Sequence, residues 1–532
     1  MFKSNNVVAR IFEREMHRPA PGTSVHRVRK FYENILPSCT LYGVECPNVS
    51  FRKFSDDGQY LVTFSRNLQD LMVYRPKWIS YSFKEEKDCI PTASRNFESF
   101  FTLLYSVPLA SCDEGICKDF FLYMEDNRFG LFATSTVPIH DAPATGGAIE
   151  SVPVSERITF YLVRLEDGVT LDSKIFTNDF VLLAAHNLGV YLYDDLLAIA
   201  SLRYQTIHII QIRESGSLVD LRTIGAFCHE DDELFLRSCN QPLPSKENGS
   251  IGHSTGNFVE TQQPLNPVNS GNTFLSGIKQ RLLSFIFRTI WSEDIDDNLR
   301  IQSLKKKFYF HFQDYTDLII WKVQFLDHHH LLIKFVSVDG GVTGTADHHP
   351  SFFAVYNMDS TEFIAFYQSS AEELYYLFEQ FFDHFYATST AAIHTNFISS
   401  HSNNSYAREQ LRATKNKTSN FSLFVRKKLG SFPSSCQSLS ASPYFDQSLF
   451  QYDDKLISAT DRHRPPTDHP IKFKSRRPPY TLKFKIKHGP EAGNADSRVK
   501  KICSFIFHPF LPLALSVQTM LLQSSVNIHF RG

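Results

Sequence analysis

Neither sign of charge dominates this chain: 55 Lys plus Arg against 56 Asp plus Glu leave a formal net charge of −1. That excludes broad electrostatic capture of a polyanion, so any charged recognition must be local. Cysteine is sparse. Of nine residues the closest pair is Cys112 and Cys117, and no Cys/His array has zinc-ligand spacing. The odd count beside a large apolar complement fits a reducing compartment, with cysteines as small buried hydrophobes. Long apolar runs are missing too. The most apolar late stretch, 502–517, carries His508, Pro509 and Pro512, and is shorter than the ~20 residues that cross a bilayer. Residues 1–18 mix charge throughout, so no secretory leader and no membrane partner are expected. No phosphate-cradling Gly-rich loop, dinucleotide fingerprint or nucleophile elbow occurs.

Aromatics are abundant, at 48 Phe and 22 Tyr in 532 residues, which favours strands over helices. The recurring unit is an apolar run, a tight polar turn and a second apolar run. FRKFSDDG (51–58) turns into 60–64 and is followed by 71–74. Runs 190–193 and 196–200 flank Asp194 and Asp195, and 206–212 turns at Ser215 and Gly216. Runs 322–326 and 331–335 flank 327–330, and 505–509, 513–517 and 526–530 end the chain. Asp-Gly and Asp-Asp turns between short apolar runs are hairpin signals, because those residues tolerate positive φ. Many hairpins and little helical pattern predict an all-β chain, an irregular β-propeller of about seven blades with helical insertions. The same reasoning predicts closure by pairing 526–530 with a strand near 40–44, since an apolar terminal strand otherwise leaves an open edge.

Residues 1–38 are expected as an N-terminal helix-loop-helix and 39–532 as the propeller, with insertions at 136–157, 240–292 and 370–441. The stretches 136–157 and 240–275 are rich in Pro, Gly, Ser and Asn and read as surface loops. Two helices stand out. Residues 277–291 place Ile278, Leu282, Phe285, Ile286 and Ile290 on one face, and Ser370 with Glu373 forms a capping box ahead of Leu374, Leu377, Phe378 and Phe381. Both read as core insertions lying against the sheets.

Catalytic, cofactor and metal sites are not expected. The acid clusters at 194–195, 230–233 and 453–454 are adjacent residues, which point apart in a strand and serve solubility in a turn. His328, His329 and His330 fall where a hairpin turn is predicted, with no acid or cysteine spaced to complete a metal shell. The most informative charged segment is LKFKIK (482–487). Period-two alternation puts Lys483, Lys485 and Lys487 on one face and Phe484 and Ile486 on the other. Lys472, Lys474, Arg476 and Arg477 precede it. This is either a solvated outer face or a contact for an acidic protein, histones or chromatin, or nucleic acid. Residues 7–37 form two short amphipathic faces broken at 19–22. They are too brief to be stable alone, so they fold back on the body or dock in a partner's groove.

The segments FRKFSDDGQY (51–60), FVLLAAHNLGVYLYDDLLAI (180–199) and QTIHIIQIRESGSLVDLRTIGAFCHEDD (205–232) resemble the De-etiolated family. So do SPYFDQSLFQYDDK (442–455), DHPIKF (468–473) and FIFHPFLPLALSVQ (505–518). The resemblance runs over roughly 5–530 and implies a nuclear, non-catalytic component of cullin-four RING ubiquitin ligases. The implied partners are the large adaptor subunit, ubiquitin-conjugating enzymes or their inactive variants, and the Constitutive-photomorphogenic RING protein. It also implies adaptor contacts at Val8, Ile11, Phe12, Arg14, His26, Val28, Arg29, Phe31 and Tyr32. Two departures from the family pattern are Val25, where an aromatic is expected, and Asp56, where a proline is expected.

Overall fold

The computed structural model describes residues 30–77, 96–124, 128–140, 149, 152–183, 189–225, 277–292, 298–337, 351–381, 449–452, 470–476, 478–487, 502–519 and 525–531. It also describes 412–413, 415–418, 420–423, 425, 442 and 444. Strand β1 (Cys39–Glu45) precedes a first sheet of β2 (Val49–Phe54), β3 (Leu61–Ser65), β4 (Asp70–Pro76) and β5 (Phe101–Pro108). The second sheet holds β6 (Glu114–Ile116), β7 (Leu122–Met124), β8 (Phe129–Thr136), β9 (Ser155–Arg164) and β10 (Thr170–Asp179). The third holds β11 (Val190–Tyr193), β12 (Leu196–Ser201), β13 (Thr206–Ile212) and β14 (Leu218–Ile224). Helices α1 (Gly277–Ser292), α2 (Asn298–Phe310) and α3 (Phe312–Thr316) follow. The fourth sheet is β15 (Leu318–Phe325), β16 (His330–Ser337), β17 (Ser351–Asn357) and β18 (Glu362–Gln368), then helix α4 (Glu372–Gln380). The fifth is β19 (Phe450–Gln451), β20 (Ile471–Ser475) and β21 (Leu482–Ile486). The last combines β22 (Ile502–Phe507), β23 (Ala514–Thr519) and β24 (Ser525–Phe530) with β1 from the other end of the chain. Every pairing is antiparallel, as hairpins joined by short turns require. Six sheets are therefore present among the described residues, against the expected seven.

Strands such as β12, buried at all six positions, cannot be half-solvated; both faces must be covered. Successive sheets supply that cover. Leu61 and Tyr74 of the first sheet meet Val526 and Ile528 of the last, and Tyr60 and Phe64 meet Phe121 and Phe132 of the second. Phe160 meets Leu197 and Ile199, and Ala198 and Ile209 meet Ile320 and Phe335. Phe473 and Phe484 of the fifth sheet lie against Phe505 and Phe507 of the last. Each buried Phe or Leu contributes roughly 1.5–3 kcal/mol relative to exposure. The other face of the fourth sheet is covered by Leu374, Tyr375 and Phe378 of α4, with Phe421 and Val425.

The last sheet joins the two ends of the chain as expected. Thr40 pairs with His529, Leu41 with Ile528 and Val44 with Val526, across a bulge where Gly43 takes φ +65°. Buried polar side chains stitch it together. Thr40 Oγ1 lies 3.0 Å from His529 Nδ1, and His529 Nε2 lies 3.1 Å from Ser516 Oγ. Asn527 Nδ2 donates to Ser516 Oγ, and the Gly43 amide donates to Asn527 Oδ1. A second tie crosses to the first sheet. His508 Nε2 donates to the Gly58 carbonyl at 2.9 Å, while its Nδ1 accepts from the Phe510 and Leu511 amides. Gly58 has φ +71°, and a Cβ there would stand 2.4 Å from His508 Cε1, so the turn admits only glycine.

The first expected helical insertion forms as read, and other expectations need correction. Helix α1 forms with Ile278, Leu282 and Ile286 buried against the third and fourth sheets. The capping box does not form: α4 starts at Glu372, Ala371 is its N-cap, and no side chain caps it. Ser370 lies one residue too early to reach the free amides. Residues 136–157 are not simply a surface loop, because Val152, Val154 and Ser155 are buried and β9 begins at Ser155. The insertion after 240 runs on through α2 and α3, whose charge-rich sequence hides the helical stripe. The 240–275 loop lies outside the described residues.

Burial drives the pKa values of His508 and His529 down to about 4. The unfolded value is ~6.5, so between about pH 4 and 6.5 the unfolded chain binds more protons and stability rises with pH. The contribution is complete above that window and lost as pH falls through it, on the order of 3 kcal/mol per histidine. The urea midpoint is expected to fall steeply between about pH 7 and pH 5, with a shallower slope in His529→Asn.

Candidate interaction surfaces

Of the expected adaptor contacts, Val8, Ile11, Phe12, Arg14, His26, Val28 and Arg29 lie outside the described residues. Phe31 and Tyr32 sit in a single helical turn, Lys30–Glu33. The Tyr32 ring meets Tyr444 edge-on at 6.1 Å, and Tyr32 and Leu36 pack on the cluster between the fifth and last sheets. Tyr444, fully buried, donates its hydroxyl to the Ile35 carbonyl, and the Ser38 amide donates to Phe530 O. The structure thus commits one side of Tyr32 to the chain's own body and anchors the start of the sequence at this junction.

The basic strands behave as their alternation predicts. Phe473 and Phe484 are buried and stacked at 4.4 Å, while Lys472, Lys474 and Lys485 are exposed and Lys483 is half-buried. Register sets Lys472 directly opposite Lys485. Like charges at paired positions are mildly destabilising. Among the described residues, Lys472, Lys474, Lys483 and Lys485 have no carboxylate at ion-pair distance. Arg476 donates its amide to Leu449 O, the Lys487 carbonyl accepts from Ser516 Oγ, and Arg477 lies outside the described residues. The arrangement offers positive charge while its stacked rings, Phe473 and Phe484, face inward.

The histidine run lies at the β15–β16 turn, as expected. His330 and the His329 amide bond Asp327, while His328 pairs with Asp194 and the His329 ring with Asp359. A cleft of about 630 Å³ opens between the second sheet and the 180–183 segment that follows it, lined by Glu114, Cys117, Thr136, Ser155, Val181 and Leu183. Glu114 is held by Arg157 Nε at 2.9 Å and by the Thr134 hydroxyl, and burial pushes the Cys117 thiol up to about 12. The Cys117 thiol therefore stays protonated at neutral pH and is no nucleophile.

Sequence reasoning missed one constellation. Lys415 Nζ sits 4.7 Å from the Tyr375 ring, 4.5 Å from Tyr376 and 5.0 Å from Phe421, and Arg412 pairs with Glu379 nearby. No spacing rule links 375–376 to 415–421. The only signal was the aromatic pair on the predicted helix.

A family model described as De-etiolated protein 1 Det1 matches residues 118–532. The Light-mediated development protein DET1 of Solanum lycopersicum is 66% identical over 537 residues, 100% of both chains. That of Arabidopsis thaliana is 61% identical over 544 residues, again 100% of both. The chain belongs to the De-etiolated family. Since the family model begins at residue 118, likeness in the N-terminal De-etiolated segment rests on these full-length relatives. The C-terminal WD40 domain of Sif2 aligns over 94% of this De-etiolated chain and 99% of its own, with 8% identity and a TM-score of 0.23, too low to carry an argument.

The Lys415 cage is expected to pin 412–425 to α4. A cation–π cage at the surface is worth about 1 kcal/mol, so Lys415→Gln is expected to speed amide exchange in 415–423 about fivefold. Lys415→Arg, which keeps the cation, is expected to leave it nearly unchanged, as read by hydrogen-exchange mass spectrometry.

Proposed function

We propose that this chain is a non-catalytic scaffold or substrate-receptor subunit of a nuclear cullin-four RING ubiquitin ligase. It binds the large adaptor subunit and ubiquitin-conjugating enzymes or their inactive variants, with the Constitutive-photomorphogenic RING protein as a further partner. Through them it directs degradation of transcription regulators in light-mediated development. The observation that carries this reading is family membership at 61–66% identity over the whole length. In this reading the six sheets are blades of a β-propeller. Their packing in sequence order, and a last sheet built from both chain ends, support it. Residues 5–37 dock the adaptor. Support comes from the Tyr32–Tyr444 contact, which holds the end of that segment on the body.

A second reading is a propeller that reads nucleic acid or chromatin through the basic face, favoured by the opposed Lys472 and Lys485. Salt-dependent retention on DNA, lost when Lys483, Lys485 and Lys487 become Glu, is its test.

Aromatic and Arg anchors in a groove commonly carry ≥2 kcal/mol each. The double change Phe12→Ala and Arg14→Glu is therefore expected to weaken adaptor binding by roughly two orders of magnitude. Thermal stability is expected to stay nearly unchanged, since the root of the segment is held by other residues. Co-purification with mass spectrometry and a melting curve on the same protein check both. Unaltered adaptor recovery moves the docking site to a sheet face, and an equal loss of melting temperature makes these residues core.

A further inference from the structure

The fifth sheet stops one strand short of the other sheets, ending at β21, whose outer edge pairs with no strand among the described residues. An unpaired edge presents alternate backbone N–H and C=O groups and is a template for another strand. Its side chains are not those of a blunted edge alone. Leu482 stands opposite Lys474 across the register shift of this hairpin, on the outer side of the sheet, and is 45% exposed, so an apolar side chain is uncovered at that end. Tyr480, two residues earlier, is 57% exposed. On the face turned away from Phe484 and Ile486, Lys485 stands opposite Lys472, with Lys474 and the half-buried Lys483 beside them.

We propose that β21 receives an extended acidic segment of a partner protein, which adds antiparallel or parallel to it as the fourth strand of the fifth sheet. A strand laid about 4.8 Å from β21 sends successive side chains to opposite faces. Alternate acidic residues then meet Lys483 and Lys485 and relieve the Lys472–Lys485 repulsion. The intervening apolar residues continue the row of Phe484 and Ile486. The recognised sequence is thus a short alternation of acidic and β-branched or aromatic residues. Nucleic acid fits the lysines but not the edge: it has no peptide backbone to complete a ladder, and Phe473 and Phe484 face inward. The proposal is independent of the ligase reading, because the adaptor contacts lie elsewhere in the chain.

The test uses the full chain and a fluorescent peptide of about eight residues alternating Glu with Val or Ile, the usual span of strand-addition ligands. A block-acid isomer of the same composition, a copy N-methylated on the pairing amides, and a short DNA duplex are the comparisons. Saturable binding of the alternating peptide is expected, weakened at least tenfold by Lys483→Gln with Lys485→Gln and at least tenfold by N-methylation. Hydrogen exchange is expected to slow at the β21 amides when the peptide is bound. Both lysines point outward, so the variant should melt like the parent, and adaptor co-purification should not change. Equal binding of the block-acid isomer or the N-methylated copy overturns strand addition in favour of a simple charge contact. Tighter retention of the duplex than of the peptide overturns it in favour of nucleic acid, and no saturable binding of the peptide overturns it outright.

Discussion

Everything in this architecture depends on a strand from each end of the chain meeting in one sheet. β1 and β24 are separated by almost the whole sequence, yet they pair over Cys39–Glu45 with Phe530 through Ser525. Closing so long a loop costs entropy that grows only slowly with length. The apolar contacts of Leu41, Val44, Val526 and Ile528 offset it, and the polar side chains between them fix the register. His529 has the central place. It sits between Thr40 and Ser516 as a neutral ring, and a neutral imidazole supplies one donor and one acceptor to two hydroxyls. A one-residue slip would set that ring on the wrong face and bury it without partners, so the network specifies register as well as stability.

The same logic explains why the HPF stretch near 508–510 and the DDG turn at 56–58 belong together. They are 450 residues apart, and His508 joins them by placing its donor on Gly58 and its acceptor under two amides. The glycine is needed for its positive φ and for the space that the imidazole occupies. A motif that reads as a turn signal in one place and as a His-Pro dipeptide in another is, physically, one contact between the first and last sheets.

Hairpins were legible because their signals are local. Alternating apolar residues and Asp-Gly or Asp-Asp turns lie within ten residues of each other, and strands duly form around 51–64, 190–212 and 322–335. Closure by 526–530 was legible from the hazard of an apolar terminal edge. Features decided by distant neighbours were not. Nothing near Ser370 shows that the helix starts two residues later, and Lys305 and Lys306 mask α2 because its packing rests on Phe308 against α1 and α3. Of the interaction residues, the alternation was readable and burial follows it over Phe484, Lys485 and Ile486, while exposed Leu482 and half-buried Lys483 depart from it where the hairpin shifts register. Tyr32 was read for its helical face, and its partner Tyr444 lies 412 residues on, beyond any local pattern.

Both candidate interaction regions meet at the fifth sheet, and its composition gives a reason. It has three strands, one of only two residues, and its core of Tyr444, Phe450, Phe473 and Phe484 is aromatic. Large rings let few strands bury much area. Among the described residues the sheet therefore stays narrow, with no strand paired to the outer edge of β21. Tyr444 uses its hydroxyl, the one polar tip in that cluster, to hold the root of the N-terminal segment through Ile35. On the opposite face the lysines keep the narrow sheet solvated without touching the stacked rings.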